Sequence, residues 1–420
     1  MLEDMPRTPS YRARVVDGQL AALLRGAGAV VVEGAKACGK TTTALQVAAS
    51  HVRLDRDRNA RLAGLADPAG LLAGDAPRLI DEWQLVPDVW NAVRAEVDDR
   101  GEPGQFILTG SATPADDATR HSGAMRFVRM TMRPMSLFET GQGTGQVSLG
   151  RLWRDDAADT SDEFALTDIA DAICRGGWPS HLGLDTPTCQ VLNTAYLRTV
   201  ASADIVTVDG IRRDPRKVGA LLSAVGRNTA TYVTNRRLQT DSAAFGAPID
   251  PATIAVYLDA LIRLWVVAEQ PAWGGHLRSS APARRAPKRH LVDPSLAVAA
   301  MGAEPDDLLR DHEALGQLFE SLAFRDLATY AEAGGFEICS FQDAYGKKID
   351  QVVVKGDQWA GIEVKLAQIP GVLDAAAAGL RAIAGRMTTT PRFLAIVTAD
   401  GRAFTRPDGV HVVPLPALCP

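Results

Sequence analysis

The sequence predicts an α/β protein whose first domain is a parallel sheet with helices on both faces. Three features of the 420 residues predict it. Short apolar strands alternate with amphipathic helices over the first third, a glycine-rich loop joins the first of those strands to a helix, and the same alternation returns after residue 290. Leucines at helical spacing place a helix at Asp17–Arg25, and Ala29-Val-Val-Val-Glu33 is a short buried strand ending at a glycine. A helix follows from Lys40 to Ala49, then strands at Val52–Leu54 and Arg78–Ile80. Val89, Trp90, Val93 and Val97 share one face of a helix over Val86–Val97, which Gly101 and Pro103 stop. Strands at Gln105–Leu108 and Arg126–Met132 complete a five-strand core within residues 1–141.

Residues 142–162 are glycine-rich and then acidic and read as a connector, so that 142–204 is a connector and helical segment. Helices are expected at Thr167–Cys174, Thr188–Ala203, Lys217–Val225 and Pro251–Arg263, the last followed by a strand at Leu264–Ala268. Short helices ending in a strand pair make 205–289 a winged-helix-like domain; a plain helical lid is the alternative. Gly274–Lys288 is rich in Gly, Ser, Pro and Arg and is expected to be exposed. The last domain, 290–420, has a helix at Glu313–Glu332, strands at Glu337–Phe341, Lys348–Val354 and Gly361–Leu366, a helix at Leu373–Ala384 and a strand at Arg392–Val397.

Composition excludes several classes. Hydrophobic residues at 46% and charged residues at 23% supply enough apolar surface to offset chain entropy, against a disordered or fibrous chain. The longest apolar runs, Ala29–Val32 and Leu264–Ala268, are far shorter than the roughly 20 residues of a bilayer span, so no membrane partner is expected. The N-terminal segment carries acids and no apolar core, which predicts a cytoplasmic protein. Five scattered cysteines without a C-x-x-C pair argue against a disulfide framework or a zinc site. A net charge of −5 leaves nucleic-acid binding to local patches. One patch lies within 205–237 (Arg212, Arg213, Arg216, Lys217, Arg227, Arg236, Arg237) and one within 275–290 (Arg278, Arg284, Arg285, Lys288, Arg289).

The loop Gly34-Ala35-Lys36-Ala37-Cys38-Gly39-Lys40-Thr41 satisfies G-x-x-x-x-G-K-[ST], with a strand before it and a helix after it. Its glycines let backbone N–H groups surround phosphates, and the helix N-terminus adds its positive dipole. Lys40 is placed for the β- and γ-phosphates and Thr41 for Mg²⁺, with Thr42 next in the same turn. ATP and Mg²⁺ are therefore the expected cofactors. About forty residues on, Leu79-Ile-Asp81-Glu82 ends a strand in two acids, Asp81 for the Mg²⁺ shell and Glu82 as base or orienter for an attacking water. Thr109 and Ser111, at the end of the next strand, are candidates to sense the γ-phosphate or place the water. A water-activating Glu82 favours hydrolysis over phosphoryl transfer to a metabolite. Arg126, Arg129 and Arg133 are candidate arginine fingers acting across a subunit interface; the alternative is solvated arginines on an edge strand.

A C-terminal metal site is readable in the same way. Asp350 lies on one strand, and Glu363-Val364-Lys365 puts an acid and a lysine on one face of the partner strand. Two carboxylates could hold Mg²⁺ while Lys365 orients a water, and Glu320 on the preceding helix could complete the shell. The alternative is a hairpin with solvated charges.

The P-loop, Arg78-Leu-Ile-Asp-Glu-Trp83, Phe106-Ile-Leu-Thr-Gly-Ser-Ala112, Arg133-Pro-Met-Ser-Leu-Phe-Glu139, Gly176-Gly-Trp-Pro179 and Ile349-Asp350 with Ile362-Glu-Val-Lys365 occur in order. In this the chain resembles a large bacterial and archaeal family that joins an AAA-type ATPase module to a C-terminal domain of unknown function similar to restriction-endonuclease-like, PD-(D/E)XK folds. The resemblance implies an AAA+-like P-loop core, a winged-helix-like middle, a nuclease-like end and a homo-oligomer, for example a ring. The expected function is an Mg-ATP-hydrolysing ATPase acting on DNA, for example branched or broken duplexes. The alternative is an ATP-gated switch or scaffold that binds a protein partner and carries an inactive nuclease-like domain.

Overall fold

The computed structural model describes residues 11–111, 124–154, 159–160, 163–274, 286–343 and 346–420. Over these, the chain divides into two compact units: one holds residues 11–32, 39–110 and 124–130, the other 33–38, 111 and 131–420. Elements of the first unit are α1 (Val16–Leu24), β1 (Ala29–Glu33), α2 (Lys40–Leu45), β2 (Ser50–Arg53), α3 (Arg58–Ala66), β3 (Arg78–Asp81), α4 (Val89–Arg100), β4 (Phe106–Gly110) and β5 (Phe127–Thr131), whose edge residues Glu33 and Thr131 pass into the second. The five strands form one sheet in the order β2-β3-β4-β1-β5, with β2, β3 and β4 paired in parallel. Every residue of β1 and β4 is buried, and Val31, Ile80 and Leu108 pack with Val89, Trp90 and Val93 of α4 in one core. Each such side chain contributes roughly 1.5–3 kcal/mol on burial. Helix α3 was not expected. Its apolar residues Leu62 and Leu65 are exposed, so it carries no burial pattern, and it starts because Asp57 accepts the Ala60 N–H at 2.8 Å.

The second unit begins with α5 (Leu137–Thr140), β6 (Val147–Ser148), α6 (Leu149–Trp153), α7 (Leu166–Arg175) and α8 (Thr186–Ser202). Three further helices, α9 (Pro215–Arg227), α10 (Asn235–Ala244) and α11 (Pro251–Arg263), lead into an antiparallel pair, β7 (Val267–Gln270) and β8 (Lys288–Leu291). Helices α9 and α11 each open with Asp-Pro: Asp214 and Asp250 accept N–H groups of the first turn, and proline preforms the first helical residue. Then come α12 (Pro294–Met301), α13 (Pro305–Arg310) and the largely buried α14 (His312–Ala333). The remainder is β9 (Glu337–Gln342), β10 (Lys348–Lys355), β11 (Gln358–Lys365), α15 (Pro370–Ala384), β12 (Leu394–Thr398), β13 (Phe404–Thr405), β14 (His411–Pro414) and β15 (Leu418–Cys419). A six-stranded sheet runs β13-β14-β12-β11-β10-β9, antiparallel from β9 to β11 and parallel from β11 through β12 to β14.

Two expectations need correction. The stretch read as a connector contains β6, which pairs in parallel with β15 at Val147↔Leu418, a partner too distant in sequence for local composition to indicate. The segment expected to be exposed up to Lys288 ends in a buried residue, since Lys288 is 1% exposed. Among the described residues no helix is long and apolar enough to cross a membrane.

Candidate functional site

In the first unit, sheet order decides the geometry. Strand β4 lies between β1, which leads into the glycine-rich loop, and β3, which carries Asp81. Asp81 and Thr109 are register partners across β3 and β4, and the Thr109 hydroxyl donates to Asp81 Oδ1. The Thr41 hydroxyl donates to the same oxygen at 2.7 Å, while Arg53 Nε, from β2, lies 3.2 Å from Asp81 Oδ2. Asp81 is thus a buried carboxylate whose two oxygens are held by two hydroxyls and one guanidinium. The buried Lys40 and the exposed Thr42 flank Thr41 at the start of α2, after Gly39 has turned the chain at φ 108°.

Glu82 follows Asp81 with φ 56° and ψ 47°, a left-handed conformation that costs a non-glycine residue on the order of 1–3 kcal/mol. That turn breaks the strand, and Gln84 Nε2 donates to Glu82 Oε2. Sequence reading missed both Arg53 and Gln84, although an arginine ending β2 and a glutamine two residues beyond the acid pair are visible once the strand order is known. Thr109, a candidate to sense the γ-phosphate or place the water, donates its hydroxyl to Asp81.

The other half of the loop and Ser111 belong to the second unit. Gly34, at φ 152°, stands so close to Met132 that a Cβ would lie 2.0 Å from its carbonyl oxygen, and the Cys38 thiol donates to the same oxygen at 3.3 Å. Ala35 is buried and Ala37 takes φ 66°. Lys36 pairs with Asp204 at 2.9 Å, beyond the end of α8. Of the candidate fingers, Arg126 pairs with Asp98 at 2.8 Å, the Arg129 guanidinium lies 5.2 Å from the Trp90 ring centroid, and Arg133 pairs with Glu332 at 2.7 Å.

The C-terminal candidates come together around α14, β10 and β11, but not as a metal site. Lys288 of β8 lies against Glu320 and 3.6 Å from Asp350 Oδ1, Lys348 is 2.9 Å from the same Asp350 oxygen, and Lys365 is 2.7 Å from Glu363. Asp350 Oδ2 accepts the Val364 N–H at 3.0 Å. Burial alone would raise the Asp350 carboxyl, yet Lys288, Lys348 and Lys365 hold it below the usual carboxylate range. Burial and the charge of Asp350 push Glu320 up, and the same two causes push Glu363 up to about 7 against the pull of Lys365. Among the described residues no three His, Cys, Asp or Glu side chains are grouped to hold a metal ion, so the expected Asp350, Glu363 and Glu320 shell does not fit Mg²⁺: lysines stand among its carboxylates.

The basic patches are also changed by folding. Arg213 is buried and paired with Asp209 at 2.6 Å, Arg237 with Asp241 at 3.0 Å and Arg289 with Glu269 at 3.2 Å. Arg278, Arg284 and Arg285 lie outside the described residues.

Residues 27–141 match the family described as an AAA domain, 166–307 a domain of unknown function (DUF8612), and 315–418 another (DUF4143). Uncharacterised proteins of Mycobacterium tuberculosis and Mycobacterium bovis are each 24% identical over 356 residues, spanning 83% of this chain and 73% of theirs. A Walker-type ATPase of Pyrococcus abyssi has 12% identity and a TM-score of 0.42, covering 71% of this chain and 99% of its own. Residues 27–141 are thus a P-loop unit of the AAA type.

Proposed function

We propose that the protein binds Mg-ATP at residues 34–42 and hydrolyses it, and that this ATPase acts on DNA. The observation that carries the first part is the Thr41–Asp81–Thr109 cluster with Glu82 beside it. Thr41 and Asp81 offer hard oxygen donors 2.7 Å apart, a set that suits Mg²⁺, which when bound would neutralise phosphate charge. Lys40 would hold the terminal phosphates, and the loop N–H groups would cradle them. Glu82, turned out of the strand and steadied by Gln84, would accept a proton from the attacking water. Thr109 acts through Asp81 as a positioning residue. An arginine supplied by a second copy, Arg129 or Arg133, would complete the site in a homo-oligomer. Calorimetry with ATP and Mg²⁺ tests the reading, and no magnesium-dependent uptake by the folded protein overturns it.

DNA is supported by Arg212, Arg216, Lys217, Arg227 and Arg236, whose side chains make no ion pair among the described residues, on and around α9 and α10. Duplex, fork and four-way DNA titrated at several salt concentrations would test it, and no binding at low salt removes it.

A second reading has its own observation. In a winged helix the helix before the hairpin enters the major groove. Here that helix, α11, turns Ala252, Ala255, Val256 and Asp259 to solvent, with Val256 53% exposed. A largely apolar face, whose Asp259 is paired with Arg263 at 3.6 Å, suits a protein partner, as an ATP-gated switch would need. Turnover unmoved by DNA, together with a partner lost on Val256→Glu, would favour the switch.

A further inference from the structure

We propose that Lys288 is a resident cation in the C-terminal carboxylate cluster: it stands where a divalent ion would otherwise bridge Glu320 and Asp350, and it pins the β7–β8 hairpin to the C-terminal sheet. Three observations carry this. The first is charge balance. Three carboxylates, Glu320, Asp350 and Glu363, meet three ammonium groups, Lys288, Lys348 and Lys365, all within ion-pair distance of at least one acid. With all six groups charged the cluster balances without a metal, and a divalent ion would add a double charge beside side chains as buried as Asp350.

The second is space. Lys288 is 1% exposed, touches Glu320 and lies 3.6 Å from Asp350, so its ammonium fills the gap between the two acids that α14 and β10 bring together. Magnesium requires near-octahedral oxygen ligands at about 2.0–2.1 Å and keeps several waters, which cannot coexist with that ammonium.

The third is the origin of the lysine. It comes from the hairpin, not from the sheet that bears Asp350 and Glu363. Its cross-strand partner Gln270 is fully buried and donates to the backbone carbonyls of Cys339 and Asp350 and to Gln351 Oε1, at 2.8, 2.9 and 2.7 Å. Two opposed residues of one hairpin thus plug into the same sheet, one by hydrogen bonds and one by charge. The lysine of the acid-x-lysine pair, Lys365, stays with Glu363.

The test uses the full chain carrying Asp81→Asn, so that the P-loop contributes no cation site, titrated with Mn²⁺ without nucleotide and read by electron paramagnetic resonance. The expected result is no tight site in this parent and no change on adding Asp350→Asn, while adding Lys288→Met creates one Mn²⁺ site per chain, at least about tenfold tighter than any in the parent. Mn²⁺ bound by the parent and lost with Asp350→Asn or Glu320→Gln would overturn the proposal, as would a folded Lys288→Met protein that gains none. Where Lys288→Met does not fold, Lys288→Met with Glu320→Gln removes both charges, and amide exchange across Val267–Gln270 and Lys288–Leu291 should still rise relative to Lys348→Met. Equal exchange in the two proteins would overturn the pinning role.

Discussion

Asp81 and Asp350 are both buried acids on strands, each 1% exposed and each accepting a hydrogen bond, yet their counter-charges differ in kind. Asp81 meets two hydroxyls and one arginine on a neighbouring strand, so a hard cation could take over the Thr41 bond without displacing an ammonium from it. Asp350 meets Lys288 and Lys348, with Lys365 close by on β11, and the chain's own lysines compensate its charge. An acid at a strand end therefore does not make a metal site; the cations that the chain itself brings to it decide.

The largest effects should fall on the Asp81 side. Glu82→Gln should lower ATP turnover about 10²–10⁴-fold while leaving nucleotide binding in place, as steady-state rates and calorimetry would show. Lys40→Ala should lower turnover by about 10²–10³-fold and weaken uptake as well. Equal turnover in either variant would remove the distinction between the two regions.

Stability effects should fall on the Asp350 side. Lys288→Met leaves Glu320 and Asp350 buried without their shared partner, an expected loss of about 3–5 kcal/mol in urea unfolding. Lys348→Met, at a side chain 47% exposed, should cost well under half of that.

A smaller effect sharpens the comparison through pH. Glu363 sits at about 7 when folded and near 4.3 unfolded, so the folded state holds the extra proton between those values. Stability from this group is fully present below about 4.3 and is lost as pH rises through about 7, by at most ~4 kcal/mol. His290 works in the opposite sense: burial, then Lys288, lowers it to about 3, so its contribution fades as pH falls below about 6.5. Glu363→Gln should flatten the loss between about pH 4.3 and 7 in paired urea melts, and an unchanged slope would show that Lys365 alone sets the charge. The smallest expected change is in DNA binding, where Arg236→Ala should reduce the salt slope by about 1.

The site around Asp81 was legible because local patterns carry it: the glycine loop fixes Lys40 and Thr41, and an apolar strand ending in Asp81-Glu82 announces itself. Arg53 was not, because only the order β2-β3-β4 makes it a neighbour of Asp81. Strands β9 to β12, with Asp350, Glu363 and Lys365 on them, were read nearly in place, whereas β13, β14 and β15 were not expected. Lys288 was misread as part of an exposed basic run, since a Pro-Lys-Arg-His stretch looks solvated until a distant α14 supplies Glu320. Arg213 and Arg237 failed for the same reason at shorter range: each is claimed by an acid four residues away.

The pairing of β6 with β15 bears on how the chain is made. Leu418 and Cys419 lie beside Val147 and Ser148, and the Ser148 hydroxyl donates to the Pro420 carbonyl at 2.5 Å. On the ribosome, strand β6 must wait for its distant partner β15 before that edge is covered, a long-range closure of the kind that slows folding. Clipping or tagging the segment at Leu418 should therefore leave an open strand edge near residue 147, and with it a route to self-association.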